Sequence, residues 1–137
     1  MTLAQAIVGA AHPSWRPRLE VPIAPGDARA ADLVLESREE VIHIEIERAL
    51  VDFQAQLRAA QLKRQAIAER EKRPVRLVIA VPDTRTSRAR LAPFSGVISS
   101  TMPFASAQTW RAIRAGEALT GDGILFVRAP LRAPRQG

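Results

Sequence analysis

Residues 41–47 read Val-Ile-His-Ile-Glu-Ile-Glu, and this stretch decides the fold prediction. The strict alternation of apolar and polar residues is typical of a β-strand, in which successive side chains point to opposite faces. Ile42, Ile44 and Ile46 therefore share one face, and a histidine and two glutamates share the other. We predict an inner strand with an acidic face, whose isoleucines are buried against the helix that follows at residues 50–72.

The segments on either side of this strand alternate between strand and helix patterns. Residues 18–23 and 31–36 have strand patterns, and residues 75–81 form an almost continuous apolar run, as in a strand covered on both faces. Helical spacing extends over 50–72 and stops before Pro74. The predicted elements are helix 3–10, strands 18–23, 31–36 and 41–47, helix 50–72, strand 75–81, helices 86–91 and 106–119, and strand 124–127. This order predicts an α/β fold with a mixed central sheet flanked by helices.

Length and composition favour one folded domain. The chain has 137 residues, of which 47% are hydrophobic and 25% charged, so it can bury a core. We assign residues 1–128 to a single domain and predict that the Arg- and Pro-rich tail 129–137 is disordered. The absence of cysteine and the presence of only two histidines exclude disulfides, thiolate nucleophiles and multi-histidine metal centres. A metal would therefore be held by carboxylates, which favours Mg²⁺ or Mn²⁺.

The net charge of +6 favours an anionic partner, and nucleic acid is the first candidate. The alternative is a compositional bias, since nearly all basic residues are Arg, as in proteins of GC-rich genomes. On helix 50–72, Arg58, Lys63 and Arg64 are candidate phosphate contacts with exposed side chains; the alternative is a merely solvated helix face. No apolar run is long enough for a membrane span and no signal peptide is evident, so we expect no membrane association and a cytoplasmic location.

Three carboxylates are expected to lie near one another. Asp32 lies on the strand that precedes 41–47, and a tight turn between the two strands would bring it beside Glu45 and Glu47. Converging carboxylates repel one another unless a divalent cation neutralises them. The alternatives are that the glutamates pair with Arg18 or another basic residue, and that Asp32 bonds to its own turn. His43, on the same face, is either a partly buried histidine near the sheet edge or a proton carrier near the metal.

The arrangement of these residues resembles the restriction-endonuclease-like superfamily, the PD-(D/E)xK nucleases, over residues 2–81. The resemblance implies an αβββαβ core, with Asp32 and Glu45 as the two acidic residues of the motif. Glu47 occupies the position that is usually lysine, as in a minority of restriction enzymes. In several relatives a Gln or Lys on the next helix contributes to the site, and Gln54 and Lys63 are the candidates here. The stretches 25–32, 52–54 and 62–64 also look like nuclease-fold domains of actinobacterial proteins.

The resemblance implies a metal-dependent nuclease that hydrolyses DNA phosphodiester bonds. The catalytic residues would be Asp32, Glu45, Glu47, Gln54 and Lys63, with the three carboxylates binding Mg²⁺ or Mn²⁺. DNA is favoured over RNA as the partner, and a homodimer is expected by analogy. The alternative is a catalytically degenerate module of the same fold that binds nucleic acid or regulates transcription. A metabolite enzyme is disfavoured, because no Gly-rich phosphate loop or nucleophile motif is present.

Overall fold

The computed structural model describes residues 1–128, and the predicted disordered tail lies outside these residues. Its elements are α1 (Leu3–Ala10), β1 (Arg16–Pro22), β2 (Ala30–Glu36), β3 (Val41–Ile46), α2 (Phe53–Arg70), β4 (Val75–Pro82), α3 (Arg85–Leu91), a 3₁₀ turn (Ala92–Phe94), α4 (Ser95–Thr101), α5 (Ser106–Ala115) and β5 (Gly123–Val127). The fold is α/β, with a five-stranded mixed sheet flanked by helices. The prediction of this class is confirmed.

The strands are ordered β1-β2-β3-β4-β5 across the sheet. Strands β1, β2 and β3 pair antiparallel, while β3, β4 and β5 run parallel to one another. The carboxyl ends of the three parallel strands therefore meet at one edge of the sheet. The loops that follow β3 and β4 both begin there, and the start of β2 lies beside the end of β3.

The isoleucine face of β3 packs against α1 and α5 and not against α2. Ile42 and Ile44 share a buried cluster with Ile7 of α1 and Ile113 of α5. The prediction that helix 50–72 covers these isoleucines is therefore wrong. Alternation along a strand defines two faces, but the handedness of the β3–α2–β4 crossover decides which face the crossover helix covers. Here α2 covers the face that carries His43 and Glu45.

Helix α2 is held to the sheet by a short apolar stripe. Phe53, Leu57 and Ala60 are buried, and they pack against residues of β4 such as Leu77 and Ile79. The helix begins at Phe53, later than expected, because the side chain of Asp52 accepts a hydrogen bond from the N–H of Ala55 at 3.1 Å and caps it.

The C-terminal half departs from the prediction in two places. Helix α5 ends at Ala115, earlier than expected, because Gly116 adopts a left-handed conformation with φ of 71°. Helix α4 was not predicted, since it buries none of its residues and so shows no apolar period. Trp110 of α5 packs against the core cluster, and its indole N–H donates to the carbonyl of Phe126 at 2.9 Å. Within residues 1–128, no helix is both long and apolar enough to cross a membrane.

Candidate active site at the start of β2 and the end of β3

Two carboxylates join β2 and β3 where the pairing of the strands ends. The paired register runs from Glu36–Val41 to Leu33–Ile44. Beyond it, Glu45 Oε2 accepts a hydrogen bond from the N–H of Asp32 at 3.2 Å, and Asp32 Oδ2 accepts one from the N–H of Ile46 at 2.8 Å. Each carboxylate is thus fixed by the backbone of the neighbouring strand, and the two side chains lie together, as the sequence suggests.

A lysine from α2 meets this pair. Lys63 Nζ lies 2.6 Å from Glu45 Oε1 and donates a hydrogen bond to the carbonyl of Ala30 at 3.0 Å. An ammonium group has three N–H donors, so one remains after these two contacts. The Lys63 side chain is 23% exposed, which leaves the ammonium group within reach of solvent. Because α2 covers the acidic face of β3, this lysine lies directly over Glu45.

Glu45 is held in its ionised form although it is almost completely buried. Its side chain is 4% exposed, and burial alone would raise the pKa of its carboxyl group. The contacts with His43 and Lys63 outweigh burial and lower the pKa of Glu45 to about 2. His43 is fully buried, and its Nε2 atom lies 3.5 Å from Glu45 Oε2. Neither ring nitrogen of His43 has a hydrogen-bond partner among residues 1–128, so the contact with the ammonium of Lys63 is the tighter of the two.

The pKa values of the other two carboxylates are raised instead of lowered. Burial, together with the negative charge of Glu45, raises the pKa of Asp32, although its hydrogen bond from Ile46 opposes this. Burial also raises the pKa of Glu47, with further contributions from the charges of Glu45 and Asp32. The negative charges of Glu45 and Asp32 thus act on Glu47 as well as on each other. Neighbouring acids with pKa values pushed apart are typical of functional sites.

A glutamine that sequence reasoning missed holds the third carboxylate. Gln56 Nε2 donates to Glu47 Oε2 at 2.8 Å and to the carbonyl of Ala49 at 3.0 Å. Its Oε1 accepts hydrogen bonds from the N–H groups of Val51 and Asp52, each at 3.2 Å. Gln56 therefore fixes both Glu47 and the loop between β3 and α2.

The predicted helix residue Gln54 lies elsewhere. It is exposed and lines a shallow pocket on the outer side of α2 with Arg58 and Leu62. In the described part of the chain it makes no hydrogen bond to Asp32, Glu45 or Glu47. The structure brings Asp32, Glu45 and Lys63 of the predicted catalytic set together, and Gln56 holds Glu47 at the end of β3. Gln54 lies apart from them.

The three predicted phosphate contacts have different surroundings. Arg58 is exposed. Arg64 is only 27% exposed and forms an ion pair at 2.9 Å with Asp122, whose carboxylate also accepts the N–H of Leu77 at 2.8 Å. The expectation that Lys63 and Arg64 are exposed is wrong, because the same face of α2 that packs on the sheet directs both side chains toward buried or half-buried carboxylates.

The alternative interpretations have different outcomes. Glu45 does pair with a basic residue, but that residue is Lys63 at 2.6 Å, whereas Arg18 pairs with Glu36 at 3.2 Å. Asp32 bonds to Ile46 on the next strand and not to its own turn, so that alternative is wrong. Asp32 is therefore bound from β3, and Glu45 is bound from β2 and α2.

The carboxylates have different capacities for a metal ion. Glu45 uses both oxygens on protein donors, whereas Asp32 and Glu47 each use one. In residues 1–128, no group of three or more His, Asp or Glu side chains is arranged to hold a metal ion. Mg²⁺ commonly takes only one or two carboxylates and completes its shell with water and substrate phosphate. Asp32 Oδ1 and Glu47 Oε1 are the carboxylate oxygens of this set that have no protein hydrogen bond among residues 1–128.

Comparison with known proteins adds no relative to these observations: no protein-family model matches the chain, no curated protein matches its sequence, and no solved structure matches its fold.

Proposed function

We propose that the protein is a metal-dependent nuclease of the restriction-endonuclease-like type that hydrolyses DNA phosphodiester bonds. The observation that carries the proposal is the position of Lys63, whose ammonium group lies 2.6 Å from Glu45 and has one N–H donor left. In the motif that residues 32–47 resemble, the lysine follows the second acidic residue on the strand. Here Glu47 takes that position, and α2 supplies the ammonium group instead.

Asp32 and Glu47 would hold Mg²⁺ or Mn²⁺ through their remaining oxygens. The raised pKa values of both side chains support this assignment, because a cation would offset the burial and the neighbouring negative charges that raise them. When bound, such an ion lowers the pKa of its water and neutralises charge on the phosphodiester.

Lys63 would orient the attacking water or a phosphate oxygen through its third N–H. Its contacts with Glu45 and the carbonyl of Ala30 fix the ammonium group before substrate binds, and a preorganised donor is the arrangement that stabilises developing negative charge. Glu45 would act as the positioning residue for Lys63. Gln56 would play the corresponding part for Glu47.

A second candidate function is a catalytically degenerate module that binds nucleic acid or regulates transcription. The observation that favours it is the saturation of Glu45, both of whose oxygens have protein partners. In such a module the pair of Lys63 and Glu45 would be a structural cross-link between α2 and β3.

Cleavage assays on plasmid and short duplex DNA with Mg²⁺ or Mn²⁺ test the proposal, with metal binding measured by calorimetry. We expect the wild type to cleave, and Asp32→Asn to lose both cleavage and metal binding. Lys63→Met should lose roughly 10²–10³-fold in rate, as expected for one oriented donor, and still bind metal. Lys72→Met is the matched control, because Lys72 is the other lysine and is exposed. Wild-type protein that binds DNA, binds no metal and does not cleave DNA would establish the degenerate module.

A further inference from the structure

We propose that Arg48 and Arg90 form a binding site for a backbone phosphate of the nucleic-acid substrate, a proposal that rests on the proposed function. The two side chains line a pocket of about 200 Å³ together with the hydroxyl-bearing residues Thr84, Thr86 and Ser87. This pocket lies between the loop that follows β3 and the beginning of α3. None of its residues belongs to the set assigned from the sequence.

The pocket lies at the carboxyl ends of β3 and β4. Arg48 directly follows Glu47, and Pro82, the last residue of β4, forms part of the wall. In open α/β sheets, ligands bind outside the carboxyl ends of the parallel strands. A nucleic-acid backbone that places one phosphate at Asp32 and Glu47 therefore passes close to Arg48.

The charge of the pocket is uncompensated. Its lining contains two arginines and no carboxylate. Within residues 1–128, neither Arg48 nor Arg90 forms an ion pair, whereas Lys63, Arg64 and Arg88 each pair with a carboxylate. Arg48 and Arg90 are thus two basic residues without an ion pair in this part of the chain, and the sequence does not single them out.

The arginine donors are partly prepared for an anion. Arg90 donates one hydrogen bond to the carbonyl of Leu50, which anchors its guanidinium group on the pocket wall. A guanidinium group has five N–H donors, so four remain, and its planar fork matches phosphate oxygens. Pockets for drug-sized ligands have volumes of about 300–1,000 Å³, so the volume of about 200 Å³ suits a smaller group such as phosphate.

The test is the salt dependence of binding to a fluorescent 20-base-pair duplex in EDTA, where cleavage does not interfere. Each neutralised phosphate contributes about −0.9 to the slope of log K against log salt concentration. We expect the slope to become shallower in Arg48→Ala and to change by about 0.9 in Arg48→Ala/Arg90→Ala, because the double variant removes the single phosphate contact. Arg38→Ala is the matched control, because Arg38 is exposed in the turn at the opposite end of β3, and its slope should equal that of the wild type.

Arg90→Lys is the folding control for the double variant. It retains a donor for the carbonyl of Leu50 and should melt at the same temperature as the wild type. An unchanged slope in Arg48→Ala, an equal change in Arg38→Ala, or no DNA binding by the wild type would overturn the proposal. The cleavage assay distinguishes this failure from that of the proposed function. Cleavage with an unchanged slope refutes the phosphate site alone, whereas a slope that depends on Arg48 without cleavage refutes only the nuclease assignment.

Discussion

Replacing Lys63 by Met removes the ammonium group opposite Glu45 and leaves most of the aliphatic side chain in place. The change in the pKa of Glu45, from the ordinary value of 4.5 to about 2, corresponds to roughly 3 kcal/mol at roughly 1.4 kcal/mol per pH unit. Lys63 supplies part of this, and its removal also leaves a buried carboxylate without a counter-charge, which costs about 3–5 kcal/mol in fully buried pairs. Because Lys63 is 23% exposed, we expect a loss of about 2–3 kcal/mol.

Thermal unfolding at pH 7 measures the loss. A chain of this size should melt about 10 °C lower, at roughly 4 °C per kcal/mol. The sign of the pH dependence follows from the lowered pKa: the contribution of Glu45 to stability is present above about pH 4.5 and is lost as the pH falls toward about 2. The difference between wild type and Lys63→Met should therefore shrink over the same interval.

A double-mutant cycle with Glu45→Gln separates this pair from other effects. Glu45→Gln removes the buried charge, so Lys63→Met should cost much less in that background. The exposed Lys72→Met again serves as the control and should melt like the wild type. If Lys63→Met melts within about 1 °C of the wild type at pH 7, or if its loss is the same in the Glu45→Gln background, the ion pair does not hold Glu45 as described.

Three further predictions concern the strand face and the remaining site residues. Ile44→Asp places a charge in the buried cluster beneath α1 and α5. The free energy of unfolding should fall by several kcal/mol, which should abolish cooperative unfolding in calorimetry. A wild-type melting temperature would contradict the strand assignment. The raised pKa of Asp32 means that its ionised form opposes folding at neutral pH. Asp32→Asn should therefore melt at a higher temperature than the wild type above the raised pKa, and this difference should disappear at lower pH. A lower melting temperature at every pH would contradict the assigned pKa direction. Gln56→Ala should slow cleavage and lower the melting temperature by a few degrees, because Glu47 and the β3–α2 loop lose four hydrogen bonds. Gln54→Ala is the control and should change neither the rate nor the melting temperature. Equal effects of the two variants would contradict the positioning role of Gln56.

The sequence pattern of β3 predicts which residues share a face of the strand, but it does not predict which helix covers that face. Alternation over residues 41–47 correctly separates the isoleucines from His43 and Glu45, because the period of a strand is fixed by its backbone. The covering helix was assigned to the wrong face, because that choice depends on crossover handedness and on the packing of α1 and α5, whose residues are distant in sequence. With α2 assigned to the isoleucine face, the contact between Lys63 and Glu45 could not be predicted, because only a helix on the acidic face can make it.

The choice between Gln54 and Gln56, two of the four glutamines of α2, can be made from the sequence. Successive helix positions are rotated by about 100°, so residues three or four apart share a face. The buried stripe of Phe53, Leu57 and Ala60 continues to Lys63 and includes Gln56 at its border, while Gln54 lies on the outer side. The helical phase therefore identifies Gln56 as the residue that turns toward the sheet. Its four hydrogen bonds to the loop and to Glu47 require the folded backbone and have no signal in the sequence.

The electrostatics of the site explain why the lysine and the carboxylates must be considered together. His43 and Lys63 keep Glu45 ionised in a buried position, and that negative charge in turn contributes to the raised pKa values of Asp32 and Glu47. A metal ion would remove this repulsion, and substrate phosphate would meet the remaining N–H of Lys63 on the same side of β3. The proposed catalytic role rests on this combination of a satisfied ion pair and two acids with raised pKa values, because such combinations are typical of functional sites.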